Sequence, residues 1–521
     1  MVKGEIMKRL IVCCDGTWNN PEQEDNGITA PTNVVKLYNA LADKDKEGVK
    51  QLKYYHPGVG GEDSGIIDEI LGGALGVGIG RHISSAYHWL GSNYEEGDEI
   101  YLYGFSRGAF TARSLGGMLS KGLLDLRDVD SDESWNRVKK AYKNGYRKNL
   151  PSTENWADGD WKFFNNKKKT PIHFIGVWDT VGALGVPDDL EILNFFDDKK
   201  KWQFHDTRLG DNVACARHAM AMDEKRSAFS ITRWENASEC DDALELWFPG
   251  VHSDVGGGYA NSDLSAGALE WMIEQSVEKG LAFREEHKEL IYPNPLGVMH
   301  NSYKGMFEKL RSRPRNIPEV SSKNADKFHK SVFVRQAKSP LEYSPYHPSK
   351  TLEVGESVTV EVFADTKWNE TQLYLDKGQK FTFSGSGKWV DSKDVCDWRG
   401  TQNDEFTMGD VVRATSSFLG KYETFFKKVL KNSSIDFVGT KRVENMKWFV
   451  MVGAIANDAG VKDAVSNDGS AVEHQYVDLT KHETTPLVIE HPGYLYCFAN
   501  DVWSMYKNNH GSIHLTITRV E

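Results

Sequence analysis

The chain is poor in cysteine, short of positive charge and without a long apolar run. Its six cysteines in 521 residues form no C-x-x-C pair and no Cys/His cluster, although Cys13 and Cys14 are adjacent. That excludes a zinc-finger-type ligand set and a secreted disulfide scaffold, and the thiols read as reduced and mostly buried. Lys and Arg total 63 against 75 Asp and Glu, a formal net charge of −12. A surface that tracks phosphates needs clustered cations, so nucleic acid is not an expected partner. The longest Gly-rich apolar run, Gly65 to Gly80, contains Asp68 and Glu69 and is shorter than the ~20 residues needed to cross a bilayer. It holds no complete G-x-G-x-x-G or G-x-x-x-x-G-K-[ST], so it offers no nucleotide cradle. A glycine-softened lid and a helix buried under a sheet are equally good readings of it. The N-terminal stretch MVKGEIMKRLIVCCDGTW has its apolar run cut by Asp15 and lacks a small-residue cleavage site. Synthesis in the producer's cytoplasm without a signal peptide is therefore expected.

What is present divides the chain in two. A length of 521 residues exceeds what one core usually supports. Up to about residue 350, near-continuous apolar runs at Arg9–Asp15, Glu99–Phe105, Pro171–Asp179 and Leu244–Gly250 alternate with helical stretches. Strands of that kind belong to a mostly parallel sheet covered on both faces, an α/β domain over 1–350. Period-two strands then begin, in SVTVEVFA, QKFTFSGSG and GSIHLTITRV, and predict an all-β sandwich over 351–521. A helical pattern between about 405 and 443 reads as an insertion in it.

The stretch YLYGFSRGAFTARS, Tyr101 to Ser114, reads as a strand, a sharp corner and a small-residue helix. A nucleophile on such a corner needs neighbours without bulk, which Gly104 and Gly108 supply around Ser106. The helix that follows aims the backbone N–H of Arg107 at a developing oxyanion. In the order Ser, acid, His, the acid falls on Asp179 at the end of PIHFIGVWD and the base on His252 in PGVHSDVGGGY. Asp254 and Asp223 are weaker candidates for the acid. Asp254 stands too close to His252 in sequence, and Asp223 lies in a helical pattern, AMAMDEKR. The loop CDGTWNN after the first strand offers Gly16 or Thr17 as a second oxyanion donor, with Asp15 holding the loop.

Six segments in order, IVCCDGTWNN, YYHPGVG, YGFSRGAFTARSLGGML, GVWDTVGALG, RHAMAMDEKR and FPGVHSDVGGGY, resemble the α/β-hydrolase group that contains phospholipase effectors of type VI secretion. The resemblance places that family's serine, aspartate and histidine on Ser106, Asp179 and His252. It implies phospholipase A-type cleavage of membrane phospholipids, toxicity to a rival bacterium after secretion into it, and spike and immunity proteins as partners. The segments SGSGKWVDS and GYLYCFANDVWSMYKNNHGSIHLTI resemble the calcium-dependent galactose-binding bacterial lectin, a small β-sandwich. That likeness implies structural calcium held by Asp501, Asn508 and Asn509, with carbonyls of Met505 and Ser392, and carbohydrate as a further ligand. The stretch after Trp389 does not reproduce the lectin's sugar-contacting loop. No cofactor is expected for catalysis. The same residues also fit an esterase acting on acylated carbohydrate, or a non-catalytic glycan-binding adaptor.

Overall fold

The computed structural model describes residues 7–521 apart from 17–18, 20, 59–74, 151–155, 158, 168, 182–206, 306, 310, 392–393, 402–440, 458–473 and 504. Six strands, β1 (Arg9–Cys14), β2 (Gln51–His56), β3 (Glu99–Phe105), β4 (Phe174–Trp178), β5 (Ala216–Ala221) and β6 (Ala243–Phe248), form one sheet. Its order is β2-β1-β3-β4-β5-β6, and every pairing is parallel. Strand β1 is buried throughout and alternates its side chains between two cores. Leu10 and Val12 pack with Ile83, Leu102 and Leu115 on one face, and Ile11 and Cys13 pack with Val34, Tyr103 and Leu269 on the other. Helices α1 (Asn33–Ala40), α2 (Leu75–Asn93), α3 (Arg107–Leu119), the short α4 (His252–Gly256) and α5 (Asp263–Glu278) supply those covers.

Strand β5 was not legible as a strand. Residues of the expected helical pattern AMAMDEKR lie in β5 and the turn after it, and Asp223 stands in that turn rather than on a helix. Two polar side chains inside β5 hide its apolar character. Arg217 bonds Gln275 and pairs with Asp242, while His218 takes Glu245 at 3.0 Å on one ring nitrogen and accepts the Thr180 amide on the other. The glycine-rich run resolves toward the buried helix at its described end. Residues 65–74 lie outside the described part, α2 begins at Leu75, and Ile79 and Ile83 are in the core.

The C-terminal part has two antiparallel sheets. One joins Asn369–Leu375, Gly493–Ala499, Met451–Asn457 and Gln475–Asp478. The other joins Asp394–Cys396, Lys380–Asp391, Asn509–Arg519 and Ser357–Phe363, with Leu487–Val488 at its side. Phe381, Phe383, Ile455, Leu495 and Leu515 fill the space between them. The four-stranded sheet is buried on its other face too. Val452, Ala454, Tyr494 and Phe498 pack with Trp247, Ile317, Val320 and Phe328 of the α/β part. The expected division near residue 350 falls between α6 (Lys330–Lys338) and the first sandwich strand at Ser357. Of the expected helical insertion, 405–440 lies outside the described residues.

Candidate active site

Ser106 links β3 to α3 with φ 57° and ψ −124°, a strained backbone that its surroundings impose. Its N–H donates to the Trp178 carbonyl at 3.1 Å, and its carbonyl accepts from Phe110 as the helix begins. A Cβ on Gly104 would run into the Gly108 carbonyl and stand 2.6 Å from the Ala109 nitrogen, and one on Gly108 would strike the Cys14 carbonyl. The elbow is thus wedged between α3 and the end of β1. Gly104→Ala is expected to cost about 1–3 kcal/mol through this overpacking, read as a lower urea midpoint at unchanged slope. A wild-type midpoint would contradict the packing argument.

Asp179 follows β4 and His252 opens α4 after β6, so all three candidates stand at carboxyl ends of strands, where open α/β sheets place their sites. His252 Nδ1 lies 2.5 Å from Asp179 Oδ2. Its ring sits between Phe105 and Phe229, with centroids at 4.6 and 5.0 Å, which fixes its plane. Phe105 is the residue before Ser106, so serine and imidazole share one aromatic wall. Among the described contacts no hydrogen bond joins the Ser106 hydroxyl to the ring. Such bonds commonly tighten only when substrate arrives. Burial lowers the His252 pKa and the Asp179 carboxylate opposes that, with a net position below the ordinary value. The ring is therefore neutral at pH 7, the form a general base requires.

Asp179 has no water-facing surface. Oδ1 accepts the Ala221 amide at 2.9 Å and Arg315 Nη1 at 2.5 Å, and Oδ2 accepts His252 and Arg315 Nη2 at 2.9 Å. Burial works against its charge, but Arg315 and His252 hold it well below the usual carboxylate range. Asp254 and Asp223 serve elsewhere. Asp254 takes His300 Nδ1 at 2.6 Å, and Asp223 takes His347 Nε2 at 2.8 Å and the Tyr346 hydroxyl at 2.9 Å.

Sequence reasoning missed two partners of the pair. Arg315 lies in RPRNIP, where flanking prolines keep the chain extended but nothing marks the arginine. Glu224 accepts the His252 amide at 3.3 Å, two bonds from the Arg226 guanidinium and the Ser302 hydroxyl.

For the oxyanion, Arg107 occupies the first turn of α3, whose amides have no partner four residues back. Gly16 is a correction. It does approach the serine, since a Cβ there would lie 3.2 Å from Ser106 Cβ, but its N–H donates to Asp15 Oδ1 at 2.7 Å. The buried Asp15 also accepts Thr32 and Tyr55, each at 2.8 Å, so the carboxylate that engages the Gly16 amide is itself fixed from two other elements. Thr17 lies outside the described residues.

In the C-terminal part, Asp501 is buried, accepts Asn509 Nδ2 at 2.8 Å and the Val502 amide at 2.7 Å, and is pushed up to about 7 by burial, with Asp391 adding to the shift. Asp391, a position the sequence reading passed over, accepts Asn508 Nδ2 at 2.7 Å. Asn509 Oδ1 is buried without a hydrogen-bond partner. The Met505 carbonyl already accepts the Asn508 amide at 3.1 Å, and Ser392 lies outside the described residues. Among the described residues no group of three or more His, Cys, Asp or Glu is arranged to hold a metal. Two carboxylates beside an orphaned amide oxygen nonetheless fit a hard, oxygen-seeking cation. Calcium at 100 times its dissociation constant is then expected to stabilise the full chain by about 2.7 kcal/mol, seen as a higher melting temperature that Asp501→Ala removes. No calcium-dependent rise in the wild type would dismiss the site.

Comparison with known proteins adds three likenesses. An uncharacterised protein of Saccharomyces cerevisiae is 32% identical over 240 residues, covering 43% of this chain and 32% of that protein. An uncharacterised protein from Pseudomonas aeruginosa has 18% identity and a TM-score of 0.34, covering 56% of this chain and 49% of the other. The Tle1 effector bound to the VgrG spike of the type 6 secretion system has 21% identity and a TM-score of 0.27, covering 49% and 51%. The chain thus spans about a third of that curated relative and about half of each of those structures. The model of the type VI secretion phospholipase effector Tle1-like catalytic domain matches residues 8–275, the stretch that holds Ser106, Asp179 and His252. Since that match takes in more than half of the sequence, the chain belongs to the Tle1-like family of type VI secretion phospholipase effectors.

Proposed function

We propose that the chain is a serine hydrolase that cleaves acyl esters of membrane phospholipids in the phospholipase A manner. Ser106 Oγ attacks the ester carbonyl while its proton passes to His252 Nε2. The first amides of α3, that of Arg107 included, hold the oxyanion. Collapse expels the lysophospholipid alkoxide, which takes the proton back from His252. Water then enters by the same route, releases the fatty acid and restores the serine. Asp179 holds the ring in the tautomer that leaves Nε2 free to accept. The observation that carries this reading is the 2.5 Å bond from His252 Nδ1 to Asp179, formed against the aromatic wall next to the elbow serine. Lipid as the acyl donor rests on the family.

In this reading the protein is made in the producer's cytoplasm and carried into a target cell by a secretion spike, with an immunity protein as its counterpart. Calcium and carbohydrate belong to the C-terminal part and take no part in bond cleavage. Phosphatidylethanolamine vesicles incubated with the full chain are expected to release fatty acid and lysophospholipid in equal amounts. Release from acylated sugars but not vesicles would move the substrate to carbohydrate esters. No ester cleavage on either would leave the fold as a binding scaffold.

A further inference from the structure

We infer that Arg315, which lies outside the matched catalytic segment, is a positioning residue that clasps both oxygens of Asp179 and so fixes the Asp179–His252 pair from the C-terminal side of the molecule. The inference rests on the roles given above to Ser106, His252 and Asp179.

The guanidinium makes a two-pronged bond to the carboxylate, Nη1 to Oδ1 at 2.5 Å and Nη2 to Oδ2 at 2.9 Å. Its outer hydrogens go to the Ala221 carbonyl at 2.8 Å and the Phe229 carbonyl at 2.7 Å. A planar fork held at both ends permits one orientation of the carboxylate. Oδ2, the oxygen that meets His252, is shared with Arg315. One of the two carbonyl anchors belongs to Phe229, whose ring meets His252 edge-on at 67°. Arg315 is therefore coupled to the base along two routes, yet it does not touch the ring.

The strap that carries Arg315 is held from both halves of the protein: on the α/β side the Arg313 amide donates to the Lys225 carbonyl at 2.7 Å and Ser312 forms a β-bridge with Arg226. On the C-terminal side, the Ser312 hydroxyl accepts Trp368 Nε1 at 3.0 Å, Asn316 Oδ1 accepts from His474 at 3.1 Å, and the Val320 amide donates to the Tyr494 hydroxyl at 2.8 Å. Trp368 and His474 each stand just before a strand of the four-stranded sheet, and Tyr494 lies in one. The C-terminal sheet thus adds a second anchor for a group that orders the site, a task separate from any sugar or calcium binding.

The charge has a readable consequence. The groups around His252 are Asp179, Glu224 and Arg226, with Arg315 behind Asp179; His218, also near Asp179, is buried, pairs with Glu245 and has a lowered pKa. Arg315 neutralises part of the negative charge that stabilises a protonated His252. Without it the imidazole binds its proton more tightly, and the acid limb of the rate profile moves to higher pH. A side chain that merely packs would lower the rate and leave that limb in place.

The test measures kcat, KM and the pH profile of kcat/KM on a soluble short-chain ester, with melting curves, for the full-length wild type, Arg315→Met, Arg315→Lys and Ser106→Ala. Arg315→Met is expected to lose about 10- to 100-fold in kcat, the scale of a sub-ångström to ångström misplacement, with KM nearly unchanged. Its acid limb is expected to rise by about one pH unit, as removal of a nearby charge of the same sign as the imidazolium dictates. Arg315→Lys keeps the charge but not the fork, so its limb stays and part of kcat returns. A folded Arg315→Met with wild-type kcat, or with lower kcat and an unmoved limb, overturns the inference. If Arg315→Met does not fold, wild-type kcat in Arg315→Lys overturns it. Activity surviving in Ser106→Ala would instead condemn the assignment of the site itself.

Discussion

Replacing Ser106 with alanine is expected to abolish ester hydrolysis and leave the fold intact. The hydroxyl makes no cap or other hydrogen bond among the described contacts, so its removal orphans no partner. The strained backbone at φ 57° stays as it is, because the elbow is imposed by Gly104, Gly108 and the end of β1 and not by the serine oxygen. The loss of kcat should be about 10⁴-fold or more. Triad members act as a unit, so His252→Ala should lose a similar factor and the double variant little beyond that. The histidine change also leaves Asp179 without one partner and a gap between Phe105 and Phe229, so it should cost stability where the serine change does not. Fatty-acid release from vesicles and circular dichroism of the same preparations check both halves. A folded Ser106→Ala protein that turns over like wild type would remove the serine mechanism.

Asp179→Asn is expected to have the largest combined effect. The amide keeps the shape but not the charge, and it leaves the buried Arg315 guanidinium facing a neutral group. Breaking a buried ion pair from one side typically costs about 3–5 kcal/mol, well beyond an ordinary point change. Activity should fall about 10⁴-fold, because an amide nitrogen facing His252 Nδ1 favours the wrong ring tautomer. The pH dependence carries the sign. In the folded protein the Asp179 carboxyl titrates below its unfolded value of about 3.9, so its contribution is complete above that pH and is lost as pH falls toward the folded value. Urea unfolding between about pH 5 and pH 2 should show stability falling more steeply in the wild type than in Asp179→Asn. Equal slopes would mean that Asp179 is not the ionised partner of Arg315 and His252.

The amino-acid sequence by itself determined the strands that are apolar without interruption and the residues whose role is local. Runs such as RLIVCC and EIYLYGF are buried on both faces of a parallel sheet, and no polar residue breaks the pattern. The elbow at Ser106 was legible because the corner shows two glycines at fixed spacing in sequence, although the end of β1 is what forbids bulk at the second of them. The places of Asp179 and His252 after their strands were legible from the apolar runs that precede them, and the structure brings the two side chains into contact. The tertiary structure alone decided what depends on partners distant in the chain. Strand β5 contains Arg217 and His218, which look out of place until Asp242, Gln275 and Glu245 satisfy them. Gly16 comes near the serine as expected, but the direction of its amide is set by Asp15, which Thr32 and Tyr55 pin from other elements. Arg315 stands 136 residues from Asp179 on a strap that a second sheet helps to fix. A planar guanidinium between two prolines has no periodicity to announce it, and bonds from both the α/β core and the four-stranded sheet bring it to the carboxylate.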